Sequence, residues 1–128
     1  MISLIDLFAR ILISVIFLFS GINKILQYDD TALWMGDFGI PEFLLIPVIT
    51  IEILFSIFII CGYRVKLAAV TLALFCLATG FIFHLDFSNS VQTINLMKNL
   101  GLAGGLFFLA INGPKNFVLF KKKKYVKL

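Results

Sequence analysis

The stretch ARILISVIFLFSGINK, residues Ala9–Lys24, decides the fold of this chain. It is apolar enough for a membrane-spanning helix, yet Arg10 lies inside the hydrophobic segment and Lys24 stands at its end. A charge near the bilayer core costs at least about 2.5–3.5 kcal/mol, so such a residue usually faces a partner or a wet cavity. The rest of the chain is therefore expected to supply the partner of Arg10.

The composition places the whole chain in a lipid bilayer. Of its 128 residues, 61% are hydrophobic and only 14% are charged, whereas soluble domains carry about 25% charged residues. The length predicts one domain. Cys61 and Cys76 form no C-x-x-C pair and are interpreted as small apolar residues, which argues against a thiol–disulfide carrier.

Four segments approach the roughly 20 apolar residues that a membrane-crossing helix needs. They cover residues 2–26, 43–61, 66–83 and 93–112. Together they predict an all-α integral membrane four-helix bundle with up-down-up-down topology. The domain prediction is a transmembrane unit over residues 1–114 and a basic tail over residues 115–128.

The connection between the first two spans differs in kind from the others. Asp29 or Asp30 can cap a short helix that runs past Trp34 and is broken at Gly36. An apolar ring with one polar edge is stable at the head-group level, which suits Trp34. The sequence therefore predicts a short interfacial helix over the mouth of the bundle.

The distribution of basic residues predicts the orientation. Arg64 and Lys66 occupy the second connection and further lysines follow the last span, while the other two connections carry acidic residues. Basic loops stay on the cytoplasmic side, so both termini are expected there, in a bacterial cytoplasmic (inner) membrane. The tail is expected either to bind anionic lipid head groups or to act only as a topology anchor; nucleic acid is not an expected partner. Its lysines are Lys121, Lys122, Lys123 and Lys124.

The two charged residues nearest mid-membrane are expected to meet. At about 1.5 Å of rise per residue, Arg10 in the first span and Glu52 in the second reach similar depths. The sequence therefore predicts an intramembrane Arg10–Glu52 ion pair. Asp6, one helical turn before Arg10, is a second candidate for sharing the guanidinium.

A polar cluster is expected near the outer face, where the first and third spans end and the fourth begins. It has two interpretations: a pocket for an anionic or carbonyl-bearing small molecule such as a quinone head group, or amide side chains that hold helices together. A helix-end role for the histidine alone is a further alternative. The cluster comprises Ser20, Asn23, Lys24, His84, Gln92, Asn95, Lys98 and Asn99.

The sequence offers no metal-ligand set and no nucleophile–base pair, so no metal site and no catalytic residue are predicted. No cofactor is expected with certainty, and a quinone is the candidate. The G-x-x-x-G spacing at Gly101–Gly105 lets another backbone approach closely, either inside the bundle or in a homo-oligomer.

By its ordered short motifs the chain resembles the DoxX/DoxD-like family of small bacterial membrane proteins. The resemblance implies four membrane helices and a link to quinone-dependent redox or oxidative-stress systems. Ser56 departs from the pattern, where glycine is common, as do Val118 and Phe120 in place of polar residues. The motifs are Arg10, Phe17–Lys24, Gly39–Pro41, Glu52, Gly62, Arg64, Ala68, Ala69, Lys98–Leu100, Gly104, Gly105 and Gly113–Pro114.

Three functions follow as hypotheses. The leading one is an accessory membrane component of such a redox system, working with a partner enzyme subunit rather than as a stand-alone enzyme. The second is a small proton-coupled transporter that uses Glu52, although a permanent Arg10 partner would keep this carboxylate ionised. The third is a structural or assembly subunit without a ligand.

Overall fold

A computed structural model describes residues 1–119 as five α-helices and no strand within that range. α1 covers Ile2–Leu26, α2 Tyr28–Asp37, α3 Leu45–Cys61, α4 Val65–Phe83 and α5 Ser90–Asn112, and a short 3-10 turn, Glu42–Leu44, leads into α3. α1, α4, α5 and the segment Glu42–Cys61 are long and apolar enough to cross a membrane. The predicted all-α membrane bundle is confirmed, as is a short helix between the first two spans.

The long helices pack as two close pairs, α1 with α3 and α4 with α5. Glycines mark the close approaches. A Cβ on Gly21 would lie 2.6 Å from Ile53 Cγ1, and a Cβ on Gly80 would lie 3.3 Å from Asn99 Cβ. Within a bilayer such small residues let helices gain van der Waals contact that larger side chains would prevent.

The fully buried residues concentrate in the half of the bundle near the α3–α4 turn. Ile59, Ala69, Leu72 and Leu106 have no exposed surface. Large apolar side chains on the outer faces remain exposed, with Phe108 at 73%. Because these exposed residues surround long apolar helices, they are the surface that faces the hydrocarbon of the bilayer.

α2 packs across one end of the bundle, which we call the α2 end. Its Met35 is buried, and the ring of Trp34 stacks on Phe83 of α4 with centroids 4.4 Å apart. Phe38 meets Phe83 edge to face at 4.9 Å. The helix begins at Tyr28 without a side-chain cap, so the predicted capping by Asp29 or Asp30 is wrong.

The opposite end, which we call the tail end, is closed by the α3–α4 turn and the segment that follows α5. Gly62 adopts a left-handed conformation with φ of 74°, and a Cβ there would lie 2.6 Å from Val118 Cα. The backbone N–H of Leu119 donates to the Cys61 carbonyl at 3.0 Å. The lysines predicted to contact lipid head groups, Lys121–Lys124, lie outside the described residues.

Candidate functional site

Arg10 is a structural centre at the tail end, 1% exposed. Its Nε donates to Asp6 Oδ2 at 3.0 Å, which confirms Asp6 as a partner. Nη1 donates to the Ile59 and Ile60 carbonyls at 2.9 and 3.0 Å, and Nη2 to those of Asn116 and Phe117 at 2.5 and 3.3 Å. A guanidinium has five N–H donors, and every one of them has an acceptor here. Arg10 therefore ties α1, the end of α3 and the segment after α5 together.

The predicted Arg10–Glu52 ion pair is wrong. Glu52 pairs instead with Lys24, whose Nζ lies 3.0 Å from Oε2. The prediction took the ends of the two helices to be level, but α1 has 25 residues and α3 has 17. Arg10, eight residues into α1 and so about 12 Å along it, lies beside Ile59 at the very end of α3. Glu52 lies beside Gly21, much closer to the α2 end.

Lys24, Glu52 and Ser20 form a polar triad between α1 and α3. Glu52 is 3% exposed, and its Oε1 accepts hydrogen bonds from Ser20 Oγ at 3.0 Å and from Lys24 Nζ at 3.1 Å. Lys24 Nζ also donates to Ser20 Oγ at 2.5 Å. The spacing of Ser20 and Lys24, one helical turn apart on α1, places both side chains over the same carboxylate.

The triad leaves hydrogen-bonding capacity unused. A lysine ammonium has three hydrogens, and Lys24 gives two of them to Ser20 Oγ and Glu52 Oε1. Although Glu52 Oε2 is close to Nζ, it accepts no hydrogen bond from any described residue. The Lys24 side chain is 22% exposed, so its ammonium can also be reached by an acceptor outside the triad.

The triad borders a cavity of about 460 Å³ at the α2 end. This volume lies within the range of roughly 300–1,000 Å³ that is usual for small-molecule sites. Its walls are mainly aliphatic and aromatic, and its polar groups are few, which is the composition of a site for an apolar ring or chain with a polar end. Besides Ser20, Lys24 and Glu52, the lining includes Phe17, Trp34, Met35, Ile51, Phe75, Cys76, Thr79, Phe83, His84, Asn99 and Leu102.

The structure brings part of the predicted polar cluster to this cavity: Ser20, Lys24, His84 and Asn99 line it. Gln92 does not line the cavity, but its Oε1 accepts a hydrogen bond from His84 Nδ1 at 2.5 Å.

The other predicted members do not line the cavity. Asn23 and Lys98 are exposed, and Asn95 is half-buried outside the lining. Lys98 precedes Asn99 by one residue, a rotation of about 100° around a helix, so the two side chains leave α5 in different directions.

Asn99 adds a second polar point on the α4–α5 side of the cavity. Its side-chain amide makes no hydrogen bond to any residue between 1 and 119. Gly80 gives it room, because any side chain at that position would press on Asn99. The cavity therefore has polar groups from two sources, the triad on α1 and α3 and the amide on α5.

Sequence reasoning missed several cavity residues. The sequence predicts Trp34 at the head-group level and Cys76 as a small apolar residue, yet both line the cavity. Phe83 and Met35 were not singled out at all. An apolar face on α2 was the available signal, because Met35 and Trp34 can reach the bundle only if α2 lies on it.

The acidic residues of the α2 end lie on its surface, apart from the buried Glu52. Asp29, Asp30, Asp37 and Glu42 are exposed around α2. In the α4–α5 turn, hydrogen bonds from the Ser88 hydroxyl and backbone N–H lower the pKa of the exposed Asp86. Lys24, by contrast, pairs with the buried Glu52 and not with any of these exposed carboxylates.

Four apolar membrane-crossing helices around a small polar-ended cavity define an integral membrane protein of the helical-bundle class. Residues 5–85 match the DoxX family. Two relatives from Escherichia coli (strain K12) agree: inner membrane protein YqjF is 39% identical over 108 residues, which cover 84% of this chain and 83% of the relative. Inner membrane protein YphA is 32% identical over 115 residues, 84% of this chain and 82% of the relative. No solved structure matches the chain significantly.

This chain belongs to the DoxX family. The family match spans α1 to the end of α4 and so includes Arg10, the Lys24–Glu52–Ser20 triad and most of the cavity lining. α5, with Asn99, lies beyond the matched residues.

Proposed function

We propose that this protein binds the head group of a carbonyl-bearing ring, such as a quinone, in the cavity at the α2 end. The observation that carries the proposal is the partly exposed ammonium of Lys24, which lines an aromatic-walled cavity. A carbonyl oxygen is an acceptor without a donor of its own, so it suits an ammonium group that only donates. The Phe17, Trp34, Phe75 and Phe83 rings supply the apolar surface that a planar ring needs.

In this proposal the protein is an accessory component of a quinone-linked redox or oxidative-stress system and acts beside a partner enzyme subunit. Ser20 and Glu52 hold the ammonium in place and balance its charge, which a low-dielectric site requires. The described residues supply a place to hold a ring and orient its carbonyl. Electron transfer would fall to the partner.

Gentle extraction from native membranes followed by mass spectrometry of the bound lipids tests this function. We expect a quinone to copurify with the wild type and to be lost in Lys24→Met. Lys98→Met removes an exposed lysine that does not line the cavity, and it should retain the quinone. Equal quinone content in the wild type and Lys24→Met, or no quinone in either, would contradict the proposal.

A proton-coupled transporter remains a second candidate because of one observation. The partner of Glu52 is Lys24 and not the permanently charged Arg10. The expectation of a permanently charged partner for Glu52 is therefore not met. Proton-coupled efflux from proteoliposomes that disappears in Glu52→Gln would favour this function over quinone binding.

We also propose that the tail end faces the cytoplasm. The exposed Arg64, Lys66 and Lys115 surround that end, whereas exposed carboxylates surround the α2 end. This distribution follows the positive-inside rule. A reporter fused to the C-terminus should be active only if it is of the type that works in the cytoplasm, and activity of a periplasmic reporter would reverse the orientation.

A further inference from the structure

The cavity extends into a seam between α3 and α4. α3 and the residues just before it contribute Leu44, Pro47, Val48 and Ile51 to the lining, and α4 contributes Phe75, Ala78, Thr79 and Ile82. In both sets the spacing of three, four and seven residues places the side chains on one helical face. The two faces therefore oppose each other across the same cavity.

The seam is open on its outer side, unlike the other half of the α3–α4 contact. Near the tail end Ile59, Ala68 and Leu72 are fully buried. Toward the α2 end, Pro47 and Ala78 are exposed although they also line the cavity. The α3–α4 contact is thus closed near the Gly62 turn, and farther along its cavity-lining residues reach the outer surface.

The chemistry of the seam favours a hydrocarbon group over a polar one. No charged side chain is among the eight residues of the two faces, and the only polar one, Thr79, already donates its hydroxyl hydrogen to the Phe75 carbonyl at 2.9 Å. The charged groups of the cavity lining, Lys24 and Glu52, belong to the triad on the α1–α3 side. A molecule that satisfies both regions has one polar end and one hydrocarbon end.

We infer that the ligand is a membrane-dissolved amphiphile with a single hydrocarbon chain, which enters between α3 and α4 and leaves its chain in that seam. The inference rests on the proposed function, since it takes the head group to lie at the triad. It adds the class of ligand and its route: a chain-bearing molecule from the bilayer, not a ring from the aqueous phase. Ala78 is the smallest residue on either face, so a larger side chain at this position would narrow the seam.

The test uses the full chain in lipid nanodiscs and two probes, a dimethoxy-methyl-benzoquinone with and without a decyl chain. Binding is followed by quenching of Trp34, the single tryptophan of the chain. Ala78→Phe narrows the seam, and Ala9→Phe adds the same ring to an exposed position of α1 near the tail end. Ala78→Leu is a smaller change at the same site and guards against a folding defect in the phenylalanine variant.

We expect Ala78→Phe to weaken binding of the decyl probe about tenfold, because overpacking by one side chain costs free energy on that scale. The affinity for the chainless probe should change by less than about twofold. Ala78→Leu should lie between Ala78→Phe and the wild type, and Ala9→Phe should match the wild type. Equal effects of Ala78→Phe on both probes, or none on either, would overturn the inference that the hydrocarbon chain lies in the seam. Failure of both probes to bind the wild type would instead overturn the proposed function, and this inference with it.

Discussion

Lys24 Nζ and Glu52 Oε2 lie 3.0 Å apart across the α1–α3 interface, and Ser20 bonds both residues. The carboxylate is almost fully buried while the lysine is 22% exposed, so the pair joins the interior of the bundle to its cavity. This relationship gives the triad two roles. It stabilises the α1–α3 contact, and it places the Lys24 ammonium at the wall of the cavity.

Removing one member of the pair should destabilise the bundle more than removing both. Glu52→Gln or Lys24→Met leaves an unpaired charge, which costs up to about 3–5 kcal/mol at a buried site, and less here because Lys24 is partly exposed. The double variant should recover much of that loss. Unfolding free energies measured in mild detergent for the complete double-mutant cycle decide the matter, and strictly additive losses would rule out the coupling.

Arg10 should be essential for folding and irrelevant to the cavity. Arg10→Met orphans four backbone carbonyls and Asp6, so we expect a loss of at least about 3 kcal/mol. Arg64→Met, at an exposed arginine of the same end, should change stability by less than about 0.5 kcal/mol. Thermal unfolding of the two variants side by side measures the contrast. Similar stability of both would contradict the five-bond assignment.

The close approach of α1 and α3 at Gly21 gives a third prediction. In Gly21→Ala the new methyl group meets Ile53 Cγ1 at 2.6 Å, which should cost about 1–3 kcal/mol unless Ile53 turns away. In Gly104→Ala the methyl group meets nothing within 4 Å, and the alanine should stabilise α5 by about 0.4–1 kcal/mol. Opposite signs are therefore expected in the same unfolding assay. A neutral Gly21→Ala would show that the interface is looser than described.

Alanine substitutions at Gly62 and Gly39 distinguish the cost of backbone strain from the cost of steric crowding. Both have positive φ, 74° and 75°, so alanine at either position costs about 1 kcal/mol of strain. Only at Gly62 would the Cβ also meet backbone, Val118 Cα at 2.6 Å and Phe117 O at 2.7 Å. Gly62→Ala should hence cost about 1–3 kcal/mol more than Gly39→Ala. Equal losses, again from unfolding free energies, would mean that the segment after α5 does not pack on the turn.

The sequence predicted the architecture well because hydrophobic length is a property of each segment alone. Four apolar stretches in a chain this hydrophobic can satisfy their backbones in lipid only as helices. The pairing of Arg10 failed because it depends on how far one helix slides along another. That offset is set by contacts such as Gly21 against Ile53 and by the carbonyls at the end of α3, which no helix-by-helix count contains.

The candidate site was partly predictable for the same reason. The i, i+4 spacing of Ser20 and Lys24 and the position of His84 at a helix end are local, and the structure places all three on the cavity. The role of Trp34 required knowing that α2 folds back onto α4, where its ring stacks on Phe83. The polarity of its neighbours in sequence predicts Lys98 in the polar cluster, but its side chain is exposed and leaves the helix in another direction.

Titration of Trp34 fluorescence with a decyl-benzoquinone in nanodiscs tests most directly whether Lys24 holds the ligand in the cavity. Trp34 lines the same cavity as Lys24, so a bound quinone quenches it at close range. We predict saturable quenching of the wild type, an affinity at least about tenfold weaker in Lys24→Met, as expected for one hydrogen bond from a charged donor, and no change in Lys98→Met. Quenching of Lys24→Met with the affinity of the wild type would contradict the account.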